Sequence, residues 1–232
     1  MSGALARLKA SFRASFGDVV FGMEDGAVSI FGLVFGLAHA AETSGDVLLA
    51  GATGAAAAAV SMAAGVWLDA SSARDAERAA ARRYAMLAGQ DPGRCEAEIR
   101  ERLAAAGTPE PGIAAILTTA AARDGGLAGL AVAMRGAPDP AIAQSPGAHA
   151  LWMFLADLVA GAVPVLPFAL LPIADARWLS IAITAILLVL LGIGRGVVAE
   201  RAIARSVVET VGVAAAAALG GLLIGQAVTR FV

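Results

Sequence analysis

Five long apolar segments, separated by polar connections and one long polar insert, dominate the chain. A helix needs about 20 apolar residues to cross the roughly 30 Å of hydrocarbon in a bilayer. Each segment reaches that length, so the pattern predicts an all-α integral membrane protein with five transmembrane helices. Two spans precede the insert, within residues 18–68, and three follow it, within residues 150–232. The predicted spans cover residues 18–41, 47–68, 150–173, 179–198 and 207–232.

The segments outside the spans also have a helical pattern. Residues 1–17 are basic, and we expect either a short basic arm or an amphipathic helix at the membrane surface with Leu5, Leu8 and Phe12 on one side. The insert occupies residues 69–149 and is too small to bury much surface by itself, so we expect it to dock on a second copy. Its alanine-rich stretches and breakers predict four helices and a proline-rich linker, at residues 70–87, 94–106, 109–122, 124–134 and 136–146.

The composition fits a membrane protein and predicts its orientation. Hydrophobic residues make up 59% of the 232 residues and charged residues only 16%. All 17 basic residues except Arg177 and Arg230 lie in the arm, in the insert or around the connection between the fourth and fifth spans. The positive-inside rule therefore predicts a cytoplasmic N-terminus and insert and an outside C-terminus. Abundant alanine, and arginine in place of lysine, suggest a GC-rich bacterial source. The expected location is therefore a bacterial inner membrane.

Carboxylates within the apolar spans are the candidate functional groups. The first span carries Asp18, Glu24 and Asp25, and the third carries Asp157. A charged residue at the bilayer centre costs about 2.5–3.5 kcal/mol on insertion scales, so such residues mostly face a polar path or another helix. Asp18 and Asp25 are seven residues apart, which is two helical turns, and lie near one helix face at two depths. This spacing predicts two successive acidic positions for a passing cation.

The other two carboxylates leave alternatives open. Glu24 points about 100° away from Asp25 around the helix, towards a partner copy or the second span. Asp157 either pairs with a neighbouring serine or carries protons.

Small residues predict where the spans pack closely. Gly32 and Gly36 form a GxxxG pair in the first span, and Gly221 and Gly225 form another in the fifth. Such pairs let helix backbones approach one another, so we expect a tight bundle.

Several stretches carry a resemblance to a known family. They are DVVFGMEDGAVSIFGLVFGLAHA in the first span, VSMAAGVWLDASSARD at the exit of the second, and AMRGAPDP with GAVPVLPFALLP around the third. With the order of spans and insert, they make nearly the whole chain similar to the vacuolar iron transporter family. The resemblance implies a homodimer that exchanges divalent iron, and often manganese, for protons. The implied ion path lies at the two-fold axis and is lined by the first spans.

The resemblance also implies metal-binding residues. Asp18 and Asp25 match the two aspartates of the family's path, and Met62 matches its methionine. A family glutamate eight residues before that methionine falls on Gly54, so this ligand is missing. Two chains would place four aspartates and two methionines around the path. A carboxylate and thioether set suits a borderline ion such as Fe²⁺ or Mn²⁺.

The metal-binding glutamates that the family carries in its insert are largely absent. The positions that match them hold Tyr84, Leu87, Cys95 and Glu98, and the run Met134-Arg135-Gly136 lacks its glutamate. A multi-iron site is therefore not expected, and a weaker site of Cys95, Glu98 and Glu101 is the alternative. A single cysteine also excludes an internal disulfide.

Other functional classes find no support in the sequence. It contains no phosphate-binding loop, dinucleotide fingerprint, zinc-protease motif or Ser/His/Asp arrangement. Two histidines and one lysine argue against histidine catalysis and nucleic-acid binding. We therefore expect no enzyme and no prosthetic group, with a second copy, a divalent metal, protons and membrane lipid as partners. Two rivals stay open, a membrane-anchored interaction protein that has lost transport and a transporter of another cation.

Overall fold

The fold is built from helices. The computed structural model describes residues 2–135 and 145–231, and within them nine helices follow one another. They are α1 (Ser2–Ala14), α2 (Phe16–Ala40), α3 (Ser44–Gln90), α4 (Pro92–Ala105), α5 (Glu110–Ala121), α6 (Gly126–Ala133), α7 (Pro146–Leu170), α8 (Ile173–Val198) and α9 (Ile203–Phe231).

Five of these helices, α2, α3, α7, α8 and α9, are long and apolar enough to cross a membrane, which confirms the five predicted spans. The second span and the insert helix predicted at residues 70–87 form one unbroken helix, α3. The third span begins at Pro146 rather than at about residue 150, because Ser145 caps it. The Ser145 hydroxyl accepts a hydrogen bond from the Ala148 amide at 3.2 Å, and proline suits the first helical position. Residues 136–144 of the predicted linker lie outside the described residues.

The described residues form two compact units, the five spans with α1 and the segment from residue 69 to residue 135. In the first unit α2 is central and packs against α7, α8 and α9. The contacts between α2 and α7 recur one turn apart with a constant sequence offset, so the two helices run parallel in one register. The contacts are Asp18–His149, Gly22–Met153, Gly26–Asp157 and Ile30–Gly161.

The two predicted GxxxG pairs meet each other, between α2 and α9. A Cβ added at Gly36 would collide with the backbone of Gly221, and one added at Gly221 would collide with the carbonyl of Gly32. A Cβ added at Gly225 would come within 3.0 Å of the Gly36 carbonyl oxygen. Glycine is therefore required for the observed distance between these helices.

The span of α3 is covered only in its first half. There Val47 and Ala55 join the core around Ile30 and Val34 of α2. From residue 60 to residue 69 no residue of α3 is buried. The second half of the α3 span, residues 60–68, is thus left uncovered within the first unit.

The predicted helix in the N-terminal arm is present as α1. The Phe12 ring packs edge-on against Trp152 of α7 at 5.1 Å between ring centroids, and the Trp152 indole donates a hydrogen bond to the Ser11 hydroxyl at 3.1 Å. Leu5 and Leu8 are exposed. Contact of Leu5 and Leu8 with a membrane surface stays a prediction, whereas Phe12 packs within the chain.

The second unit has its own hydrophobic core, although the insert was expected to bury little surface alone. Its buried residues are Tyr84, Cys95, Ile99, Ile113, Leu117, Leu127 and Ala131. The Tyr84 hydroxyl accepts a hydrogen bond from the Arg102 guanidinium at 2.7 Å. The Asp91 side chain caps α4 by accepting from the Arg94 amide at 3.0 Å. The four helices predicted in the insert are all present, the first as the end of α3.

Candidate functional site

Asp18 lies in the first turn of α2 and contacts a histidine of another span. Its Oδ2 is 2.5 Å from Nδ1 of His149, in the first turn of α7. The Asp18 side chain is 34% exposed, whereas the His149 side chain is 2% exposed. His149 therefore holds the Asp18 carboxylate on one side, and the other side of the carboxylate remains exposed.

Asp25 is partly exposed and lies on a face of α2 that the other described helices leave largely uncovered, apart from the Leu33 side chain, which contacts Gly54 of α3. This uncovered face, defined by Phe21, Asp25, Ser29 and Leu33 at intervals of one turn, continues from Asp18. Phe21 is 56% exposed and Leu33 is 38% exposed. Within residues 2–135 and 145–231, Asp25 has no hydrogen-bond or ion-pair partner. Asp18 and Asp25 therefore share the surface that the sequence predicted for them.

Glu24 points to a different side of α2 and is paired within the chain by the fourth and fifth spans, so the prediction that it faces the second span or a partner copy was wrong. Its Oε1 accepts hydrogen bonds from the Arg195 guanidinium of α8 at 2.9 Å and from the Thr210 hydroxyl of α9 at 2.8 Å. Its side chain is largely covered. This contact ties three helices together and gives Glu24 a structural role beside its candidate role in metal binding.

Asp157 is buried beside the acidic pair. It is 1% exposed, and neither carboxylate oxygen has a hydrogen-bond partner within the part of the chain that the structure describes. Its carboxylate lies against Gly26, the residue after Asp25. A bare carboxylate anion is costly in such a place, so this group needs a cation, a proton or a partner.

Met62 lies in the uncovered half of the α3 span and is partly exposed. Because α3 runs antiparallel to α2, Gly54 of α3 meets Leu33 of α2. Two turns further along α3, Met62 comes to about the depth of Asp25, two turns before Leu33. The depth of Met62 thus agrees with a shared path, and no hydrogen bond joins Met62 to either aspartate in the described chain.

Gly54, where the family's glutamate ligand is missing, packs against α2. A Cβ added at Gly54 would come within 2.6 Å of Leu33 Cδ2 and 3.8 Å of Ile30 Cδ1. A larger residue at this position would therefore require the Leu33 side chain to move.

The candidate residues in the insert are engaged in packing and ion pairs. Cys95 is fully buried, and burial together with the nearby carboxylates of Glu98 and Glu96 raises the pKa of its thiol. Glu98 pairs with Arg83 at 3.4 Å and with Arg94 at 4.0 Å. Nowhere in residues 2–135 and 145–231 do three His, Cys, Asp or Glu side chains come together to hold a metal ion. A metal site formed within one copy would therefore need ligands other than a cluster of these side chains.

Three polar residues of this site were not predicted as such. In the sequence, His149 counted only as one of two histidines that argue against catalysis, Arg195 only as a marker of orientation, and Thr210 not at all. A basic residue near the end of an apolar span, as at Arg195, is the one sequence signal that pointed to a buried partner.

Five apolar spans and carboxylates within them define an integral membrane protein with features of a cation transporter. The VIT family model matches residues 16–226. The chain therefore belongs to the vacuolar iron transporter family, which consists of transporters of metal ions rather than enzymes. No curated protein matches the chain significantly.

Proposed function

We propose that the protein is a homodimeric transporter that moves divalent iron or manganese out of the cytoplasm in exchange for protons. The observation that carries this proposal is the uncovered face of α2, on which Asp18 and Asp25 lie at two depths and are both partly exposed. A carboxylate turned towards lipid would cost about 2.5–3.5 kcal/mol, so a polar path is expected on this face.

A second copy is the proposed cover for that face. The uncovered half of the α3 span lies at about the same depth as the uncovered face of α2 and carries Met62. Packing of two copies along α2 and α3 would bring two sets of Asp18, Asp25 and Met62 around one axis. Carboxylate oxygen and thioether sulfur together suit Fe²⁺ or Mn²⁺ better than Mg²⁺ or Ca²⁺.

Proton exchange is supported by the buried carboxylate of Asp157. Asp157 packs against Gly26, the residue that follows Asp25. Its carboxylate oxygens have no hydrogen-bond partner in the described chain. A proton on Asp157 removes the cost of a buried anion, and a metal ion nearby would favour its loss. Export from the cytoplasm follows from the orientation that the basic residues predict.

The test is metal flux in proteoliposomes that contain a pH-sensitive dye. The wild type should transport Mn²⁺ or Fe²⁺ with an opposite pH change, and Asp25→Asn should abolish the flux. Asp175→Asn is the matched control, because this carboxylate lies in the first turn of α8, away from the uncovered face. Asp157→Asn should retain metal binding and lose the pH change. Equal flux in the wild type and Asp25→Asn would contradict transport by this path.

A further inference from the structure

The contact between His149 and Asp18 has the geometry of a carboxylate held by an imidazole. Asp18 Oδ2 lies 2.5 Å from His149 Nδ1, a short, charge-assisted distance. The Ser15 hydroxyl is also near this nitrogen, at 3.5 Å. A ring nitrogen that faces a carboxylate at this distance carries the hydrogen and donates it.

The second ring nitrogen of His149 distinguishes this contact from a solvated pair. Nε2 is buried and has no hydrogen-bond partner in the described chain. With the ring hydrogen on Nδ1, Nε2 presents a lone pair, so no second N–H donor is left buried and unpaired. The carboxylate therefore selects the ring's tautomer, and the ring in turn fixes the carboxylate.

Burial makes the histidine the more confined member of the pair. One turn further along, Gly22 packs on Met153, and another turn on, Gly26 packs on Asp157. Ser145 caps α7 one turn before His149. Asp18, in contrast, lies in the first turn of α2 with a third of its side chain exposed.

We infer that His149 is a positioning residue for Asp18. By donating to Oδ2 it orients the carboxylate towards the open side, so that the other oxygen faces an arriving cation. This inference rests on the proposed function, because it assigns His149 to the first acidic position of the transport path. Its role is to lower the cost of orienting Asp18 when the cation binds.

Three substitutions of His149 separate this role from packing and from direct ligation. Asn carries an N–H group near the position of Nδ1 and should preserve the contact with Asp18. Gln reaches the position of Nε2, and Leu provides only volume. Removal of an outer partner of a metal ligand typically weakens metal binding about 10- to 100-fold. We expect that loss in His149→Leu and His149→Gln, and less than about threefold in His149→Asn.

The measurement is Mn²⁺ binding and Mn²⁺ flux with the purified full-length protein, with His39→Leu as the control at the chain's other histidine. In an Asp18→Asn background, His149→Leu should cause little further loss, because the two residues act as one unit. Additive losses, or rescue by Gln and not by Asn, would overturn the inference. So would wild-type binding and flux in all three variants. Absence of flux in the wild type would instead refute the proposed function, while the binding comparison would still test His149.

Discussion

Glu24 and Asp25 are neighbours in the chain but have opposite electrostatic surroundings. Glu24 accepts a 2.9 Å hydrogen bond from Arg195, whereas Asp25 lies on the uncovered face of α2 with no partner in the described chain. The 100° step between consecutive helical residues separates the two carboxylates. One carboxylate holds the helices together, and the other remains available to a cation.

This division predicts opposite effects of two matched substitutions. Glu24→Gln should destabilise the protein by about 1–3 kcal/mol, because the Arg195 guanidinium loses a charged hydrogen-bond acceptor. Asp25→Asn should leave stability almost unchanged and remove transport. Thermal unfolding in detergent, measured beside flux, checks both. A larger fall in melting temperature for Asp25→Asn than for Glu24→Gln would contradict the assignment.

The contact between α2 and α9 predicts a sharp difference between two adjacent glycines. Gly221→Ala should destabilise the bundle by about 1–3 kcal/mol, since its Cβ would collide with the carbonyl of Gly32. Gly220→Ala is the control, because a Cβ there meets no atom within 4 Å. Melting temperatures of the two variants provide the comparison. Equal melting temperatures would argue against the observed packing of these helices.

The single cysteine predicts slow labelling and a defined pH dependence. Cys95 is buried and its pKa lies above the ordinary value of 9.0, so a thiol reagent should label it only after unfolding. Because the folded-state pKa is the higher one, the thiol's contribution to stability is present below pH 9 and declines as the pH rises through the folded-state pKa. Cys95→Ala should remove this decline. Rapid labelling of the native protein at neutral pH would contradict the burial of Cys95.

The insert is predicted to hold no multi-iron site. Glu98 is occupied by Arg83 and Arg94, and Cys95 lies in the core of the insert. After anaerobic Fe²⁺ loading and desalting, the amount of iron bound per chain should depend on the α2 carboxylates. It should therefore fall in Asp25→Asn. Glu98→Gln serves as the control and should leave it unchanged. Several irons per chain that survive Asp25→Asn and vanish in Glu98→Gln would refute this prediction.

Much of the fold was predictable from local pattern. The spans follow from runs of about 20 apolar residues, and the second helix of the insert, predicted from residue 94 and observed from Pro92, follows from the breakers before it. The shared face of Asp18 and Asp25 follows from a spacing of seven residues. The start of α7 at Pro146 was missed because a proline-rich linker and a capped helix start with the same residue types.

The sequence by itself determined that five apolar helices carry acidic groups, because helix length, periodicity and the cost of charge in hydrocarbon are local quantities. Only the tertiary structure decided that Glu24 meets Arg195, that His149 holds Asp18 and that Gly221 packs on Gly32. Periodicity specifies the face on which a side chain lies but not the helix that covers it. Those partners are more than 130 residues apart, and the register of helix packing alone brings them together.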